Sequence, residues 1–176
     1  MAKRILAVVA LILAGAVAGL APHLAVSGGD TVFSGKRPDY LGVKDGQLAR
    51  CKRTPNCVSS QTDASDAEHY VAPIMFKGGA GEAMAAVRKV VEAVPRATVI
   101  RSESGYLYAE FRSRLMGFVD DVEFLSDAMS GLIHVRSASR LGRRDFGVNR
   151  ERVEALRAAI AALDKAARGT GENKAR

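Results

Sequence analysis

Two stretches of this chain repeat apolar residues at +3, +4, +3, and four stretches between them alternate with period two. Met84, Val87, Val91 and Val94 form one helical stripe, and Val153, Leu156, Ile160 and Leu163 form another. Pro95 stops the first helix. The alternating stretches are Thr98–Glu103, Tyr106–Ser113, Phe118–Leu125 and Leu132–Ser139. The breaks between them are short: Ser104-Gly105, Met116-Gly117 and Asp127–Gly131. Links this short make neighbouring strands antiparallel. Tyr70–Phe76 adds a strand before the first helix, and Pro73 confines it to an edge. The predicted order is strand, helix, four strands, helix. Each helix has a single apolar stripe, so both must cover one apolar sheet face. Leu107, Ala109, Phe111, Val122, Phe124, Ile133 and Val135 supply that face. The expected fold class is α+β: a twisted antiparallel sheet of about five strands with two helices on one face.

The N-terminus bears on the compartment. Lys3 and Arg4 precede an apolar run from Ile5 to Ala21, closed by Pro22. A basic end followed by an apolar stretch is an export signal, because the charge stays cytoplasmic while the apolar part enters the bilayer. Two outcomes fit. Ala16-Val17-Ala18 is a small-x-small cleavage site, and the run is also close to the ~17 residues that can span a membrane. Residues 1–26 are therefore expected to be a signal peptide or an anchor, 27–50 a linker, 51–168 a single domain and 169–176 a disordered tail. The expected location is periplasmic, or anchored in the cytoplasmic membrane facing outward. The membrane is then a partner if the segment is uncleaved. The formal net charge is +7, and loss of residues 1–18 would remove two of these charges.

Composition excludes several function classes. Trp is absent and aromatics are 6%, so stacking platforms for single-stranded nucleic acid are not expected. Two Cys exclude a four-Cys zinc site and a disulfide-dense scaffold. Cys51 and Cys57 enclose Lys52-Arg53-Thr54-Pro55-Asn56, a gap too wide for a redox Cys-x-x-Cys. In an oxidising compartment a structural disulfide is the favoured reading, with free thiols the alternative. Asp120-Asp121-x-Glu123 does not make a metal site, because strand alternation turns Asp120 away from the other two. Asp120 then needs a partner on the core side, from Arg140 or a backbone N–H. Gly78-Gly79-Ala80-Gly81 precedes a helix without the Lys-Ser/Thr of a phosphate loop, so a flexible helix entry is expected. Ser59 and Ser60 lack a nucleophile-elbow setting, and no cofactor is implied.

The outer sheet face carries the candidate chemistry. Period two places Tyr106, Tyr108, Glu110 and Arg112 there, with Asp121 and Glu123 on the next strand and His134, Arg136 and Arg140 on the one after. Acids beside bases read first as a solvated face with cross-strand ion pairs. Read functionally, Asp121, Glu123, Arg136 and Arg140 form a polar binding face. In one version the carboxylates act as acid and base in a hydrolase; in another Arg136 and Arg140 hold an anion.

Three segments carry a family resemblance: Thr54-Pro55-Asn56-Cys57-Val58-Ser59-Ser60-Gln61; Gly117-Phe118-Val119-Asp120-Asp121-Val122-Glu123-Phe124; and Val135-Arg136-Ser137-Ala138-Ser139-Arg140 continuing to Asp145, Gly147-Val148-Asn149-Arg150 and Arg152-Val153-Glu154. Over about residues 40–160 the chain resembles the domain-of-unknown-function 1499 family. In that pattern a Ser commonly precedes the motif Asp and a Leu follows it; here Arg144 and Phe146 flank Asp145. The resemblance implies no catalytic residues. It groups Cys57, Asp121, Glu123, Arg136, Arg140, Asp145, Asn149 and Arg150. The expected structural roles are a pair between Arg140 and Asp145 and an N-cap at Asn149. The leading functional expectation is a non-catalytic envelope module that binds a ligand or protein partner through the polar face.

Overall fold

The computed structural model describes residues 33–172. Its elements are β1 (Cys57–Ser59), β2 (Ile74–Met75), α1 (Ala80–Glu92), β3 (Ala97–Glu103), β4 (Tyr106–Arg112), β5 (Val119–Asp127), β6 (Leu132–Ser139) and α2 (Val148–Glu172). The strands form one six-stranded antiparallel sheet in the order β1-β6-β5-β4-β3, with β2 also paired to β6. The class is α+β, as the periodicities require. The sheet has one strand more than the five expected. The extra one, β1, lies in what reads as loop, because three residues are too few to show a period. Its pairing is nonetheless fixed: Cys57 opposes Ala138 and Ser59 opposes Arg136.

Turn chemistry sets the register. Gly105 has φ +80° between β3 and β4, a conformation that costs glycine nothing and strains other residues. From there Leu107 faces Phe124 and Phe124 faces Val135, so one apolar row crosses three strands. Val87, Val91, Val153, Leu156 and Ile160 cover this row and are buried. α1 packs on β3, β4 and β5, and α2 on β6 and β1, so each helical stripe meets the sheet face its period predicts. Gly79 and Gly81 flank the start of α1, but no phosphate cradle forms there. The Gly79 N–H donates to the Glu82 carboxylate at 3.0 Å, so an acid already occupies the helix entry.

α2 is stitched to the irregular chain before it. Arg150 donates to the carbonyls of Ala67, Glu68 and Tyr70, and Arg157 to those of Ala72 and Pro73. The helix continues past Gly169 to Glu172, so the segment expected as a tail begins in helix. The expected signal or anchor at residues 1–26 lies outside the described residues. Among the described residues no helix is long and apolar enough to cross a membrane.

Cys51 and Cys57 form a disulfide, which joins the chain entering the domain to β1. A ring this small removes little denatured-state entropy. Its reduction should therefore lower stability by about 2 kcal/mol without unfolding the domain. Urea denaturation with and without reductant measures this, and thiol labelling of the native protein should find no free Cys.

Candidate functional site

The outer face of the sheet is built by alternation. β4 contributes Tyr106, Tyr108 and Glu110, β5 contributes Asp121 and Glu123, and β6 contributes Arg136, with Arg140 just past its end. Register makes them neighbours: Glu110 opposes Asp121, Tyr108 opposes Glu123, and Glu123 opposes Arg136. All four residues of the expected polar face are thus brought together.

They are not solvated. Glu123 and Arg136 are 0% and 2% exposed, and Glu110, Asp121 and Arg140 are nearly as deep. Residues 33–50 lie across them. The segment reads as linker because it has no sustained period, yet single contacts fasten it at intervals. Arg37 pairs with Glu110 at 2.6 Å. The Gly42 N–H donates to Glu123 at 2.8 Å. Leu48 packs on Tyr106 and Tyr108, with Leu41 and Leu125 beside them. Beneath this strap, alternating charges that sequence logic leaves in water form a second, polar core.

Each carboxylate in it is saturated. Asp121 accepts from Arg140 Nε and Nη2 and from the Tyr108 hydroxyl. Glu110 accepts from Arg37 and Arg140; the Tyr108 hydroxyl, 3.1 Å away, has one proton, which the shorter contact of 2.6 Å gives to Asp121. Glu123 accepts from Tyr106, Gly42 and Arg136. Burial alone would raise the Glu110 pKa, but the Arg140 and Arg37 guanidiniums outweigh it and hold this carboxyl below its ordinary range. Burial pushes Tyr106 and Tyr108 well above the ordinary phenol range, so both stay protonated and donate. A general acid needs a raised carboxyl pKa. Glu110 is shifted the other way.

Arg136 differs from its neighbours. Its Nη1 donates to Glu123 at 3.1 Å, while its Nε is buried with no hydrogen-bond partner. Its guanidinium lies 5.6 Å from the centroid of the Tyr40 ring, and Lys52 Nζ lies 5.6 Å from the same centroid. These residues line a cleft of about 420 Å³ between the strap, β6 and the disulfide loop. Lys36, Arg37 and Arg140 also border it, opposed by Asp39 and Asp121. Among the described residues no cluster of His, Cys, Asp and Glu could hold a metal ion.

The expected partners around the last helix are rearranged. Arg140 does not pair with Asp145; Glu110, Asp121 and Tyr108 take it instead. Period two already puts Arg140 on the outer face, and the turn carries Asp145 away from it. Asp145, not Asn149, acts as the acceptor at the start of α2, taking the N–H of Gly147 just before it at 3.0 Å and that of Asn149 within it at 2.9 Å. These bonds offset burial and lower the Asp145 pKa. Asn149 sits inside the helix, fully buried. It joins Ser137, Ser139 and the carbonyl of Asn56 to Arg152. Asp120 pairs with Arg152 at 2.5 Å rather than with Arg140. His134 bonds Ser60 at 3.2 Å, and His69 bonds Asp66 at 2.9 Å. Sequence reasoning missed Tyr40, Arg37 and Lys52 as wall residues. Only the basic character of the segment around them signals their role.

The three motifs that suggest a family therefore converge: Asn56 meets Asn149 behind β6, while Asp121, Glu123, Arg136 and Arg140 lock in front of it. No curated protein and no solved structure matches the chain. The family model described as a protein of unknown function, DUF1499, matches residues 47–160, and the chain belongs to that family.

Proposed function

We propose that this is an exported domain that binds rather than catalyses, and that its cleft takes an anion-bearing ligand with a carboxylate or phosphoryl group. The observation that carries this reading is Arg136. A buried guanidinium with an idle Nε–H is costly unless something accepts from it, because an unpaired buried donor forfeits its hydration. A planar oxyanion suits the edge of an arginine fork. Lys36 and Lys52 at the rim favour the same sign of ligand, and Tyr40 supplies an apolar wall. The Lys3-Arg4 start, the apolar run after it and the disulfide support placement outside the cytoplasm. A carboxylate hydrolase using Asp121 or Glu123 is less well supported, because both are filled by internal donors.

Calorimetric titration with inorganic phosphate and with citrate tests this. At least one probe should bind. Lys52→Glu and Lys36→Glu, both at exposed positions, should each weaken binding roughly tenfold, the scale of one charge-assisted hydrogen bond, with unchanged denaturation midpoints. Absence of binding for both probes, or affinity indifferent to both substitutions, overturns the reading.

A further inference from the structure

We infer that the end of the sheet where β4 turns into β5 docks on an anionic phospholipid bilayer. Three pieces of chain meet at this end: the β4–β5 turn, the β6–α2 loop and the first described residues. The Phe33 and Phe118 rings are 5.3 Å apart. Arg112 donates to the Ser34 hydroxyl at 3.2 Å. Gly35 lies so close to the β6–α2 loop that a Cβ on it would stand 3.0 Å from Arg140 Cβ and 3.1 Å from Leu141 Cγ.

Here the molecule exposes apolar side chains between arginines. Leu115 is 91% exposed and Phe146 94%, with Met116 and Leu141 also open to water. A single exposed apolar residue needs no explanation. This group occupies two adjacent turns and alternates with Arg114, Arg143 and Arg144, all exposed. The acid of these two turns, Asp145, has its carboxylate filled by helix N–H groups. Phe146 is also held at φ +56°, a left-handed conformation unfavourable for a bulky aromatic. The bonds from Gly147 and Asn149 back to the Asp145 carboxylate close over it, and its ring stands in solvent.

Apolar tips that enter the acyl boundary, with guanidiniums at the phosphate level, match an anionic lipid interface. The path of the chain favours a membrane over a protein partner, and this step rests on the anchoring version of the export reading. The apolar run ends at Ala21, and eleven residues separate it in sequence from Phe33, which lies at this end. Eleven residues span at most about 40 Å, so an anchored chain keeps these turns near the bilayer. The β5–β6 turn lies at the opposite end of the sheet. It also exposes an apolar side chain, Met129 at 99%, but its neighbours Asp127 and Ser130 carry no positive charge.

The chain contains no Trp, so single-Trp variants report locally. Full chains carrying Phe146→Trp, Leu115→Trp, Met129→Trp or Leu13→Trp are placed with phosphatidylglycerol–phosphatidylcholine vesicles whose acyl chains are brominated. Emission at 146 and 115 should shift to the blue and be quenched at least twofold, while 129 stays water-like. Arg143→Glu with Arg144→Glu, or omission of phosphatidylglycerol, should reverse the quenching at 146. Trp at 13 reports anchoring separately. Quenching at 13 with none at 146 and 115 overturns docking and leaves anchoring intact. Quenching at 146 and 115 without 13 sustains docking and removes the anchor. A lipid-free blue shift at 146 that grows with protein concentration assigns the face to a second copy and overturns the proposal.

Discussion

Arg140→Ala is expected to destabilise the domain by about 3–5 kcal/mol, enough to unfold much of it at ambient temperature. Arg140 serves Asp121, Glu110 and the Tyr108 hydroxyl at once, and its side chain is 4% exposed. Removing it leaves two carboxylates beneath the strap. Asp121 keeps only the Tyr108 hydroxyl, and Glu110 keeps only Arg37 as a strong donor. A buried ion pair adds little net stability against an apolar replacement, but half of one is expensive, because the surviving charge has lost its water. Asp121→Asn with Glu110→Gln, introduced into the Arg140→Ala background, should restore part of the loss by neutralising the orphaned charges. Urea midpoints of the single and triple variants measure both effects. A wild-type midpoint for Arg140→Ala would mean that the strap opens freely and that the polar core is a solvated surface after all. Lys52→Glu provides the contrast: it lies on the rim of the same cleft, and only ligand affinity should respond.

That contrast shows what was legible in the residues. That Asp121, Glu123, Arg136 and Arg140 share one face could be read from period-two alternation and the short turns; that Arg140 pairs with Asp121 rather than Asp145 could not. Neither feature says what lies above the face. Gly42 contributes a backbone N–H, Arg37 one guanidinium and Leu48 one side chain, each reaching more than ten residues along the chain to its partner. Contacts of that kind leave no repeat, so the strap reads as linker and its charges read as wet. β1 was hidden for the same reason, since Cys57–Ser59 is specified by β6 rather than by itself. The two helices and the four long strands were legible because each carries its own period and buries it on one face.

Asn149→Ala should cost on the order of 3 kcal/mol, and Asp145→Ala only about 1 kcal/mol. A reading of helix caps alone predicts the opposite order, since Asn beside an apolar stripe resembles a cap and Asp145 resembles a salt-bridge partner. The hydrogen bonds decide between them. The Asp145 carboxylate satisfies two N–H groups, that of Gly147 at the surface and that of Asn149 beneath it; Asp145 is itself only half-buried beside exposed residues, so truncating it lets water in to replace much of what it supplies. Asn149 is 0% exposed, and no water can substitute for it. Its carbonyl oxygen accepts from Ser137 and Arg152, while its amide donates to Ser139 and to the carbonyl of Asn56. Truncation leaves several of these groups buried without partners, each costing roughly 1–3 kcal/mol unless it finds another. The damage should also spread. Asn56 donates to the Gly142 carbonyl at 2.7 Å, so loosening Asn149 frees both the disulfide loop and the β6–α2 loop. Amide exchange should therefore speed up at Ser139 and Asn56 in Asn149→Ala. In Asp145→Ala the faster exchange should stay confined to Gly147 and residue 149. Equal costs for the two variants, or exchange confined to the helix start in both, would return Asn149 to the role of an ordinary cap.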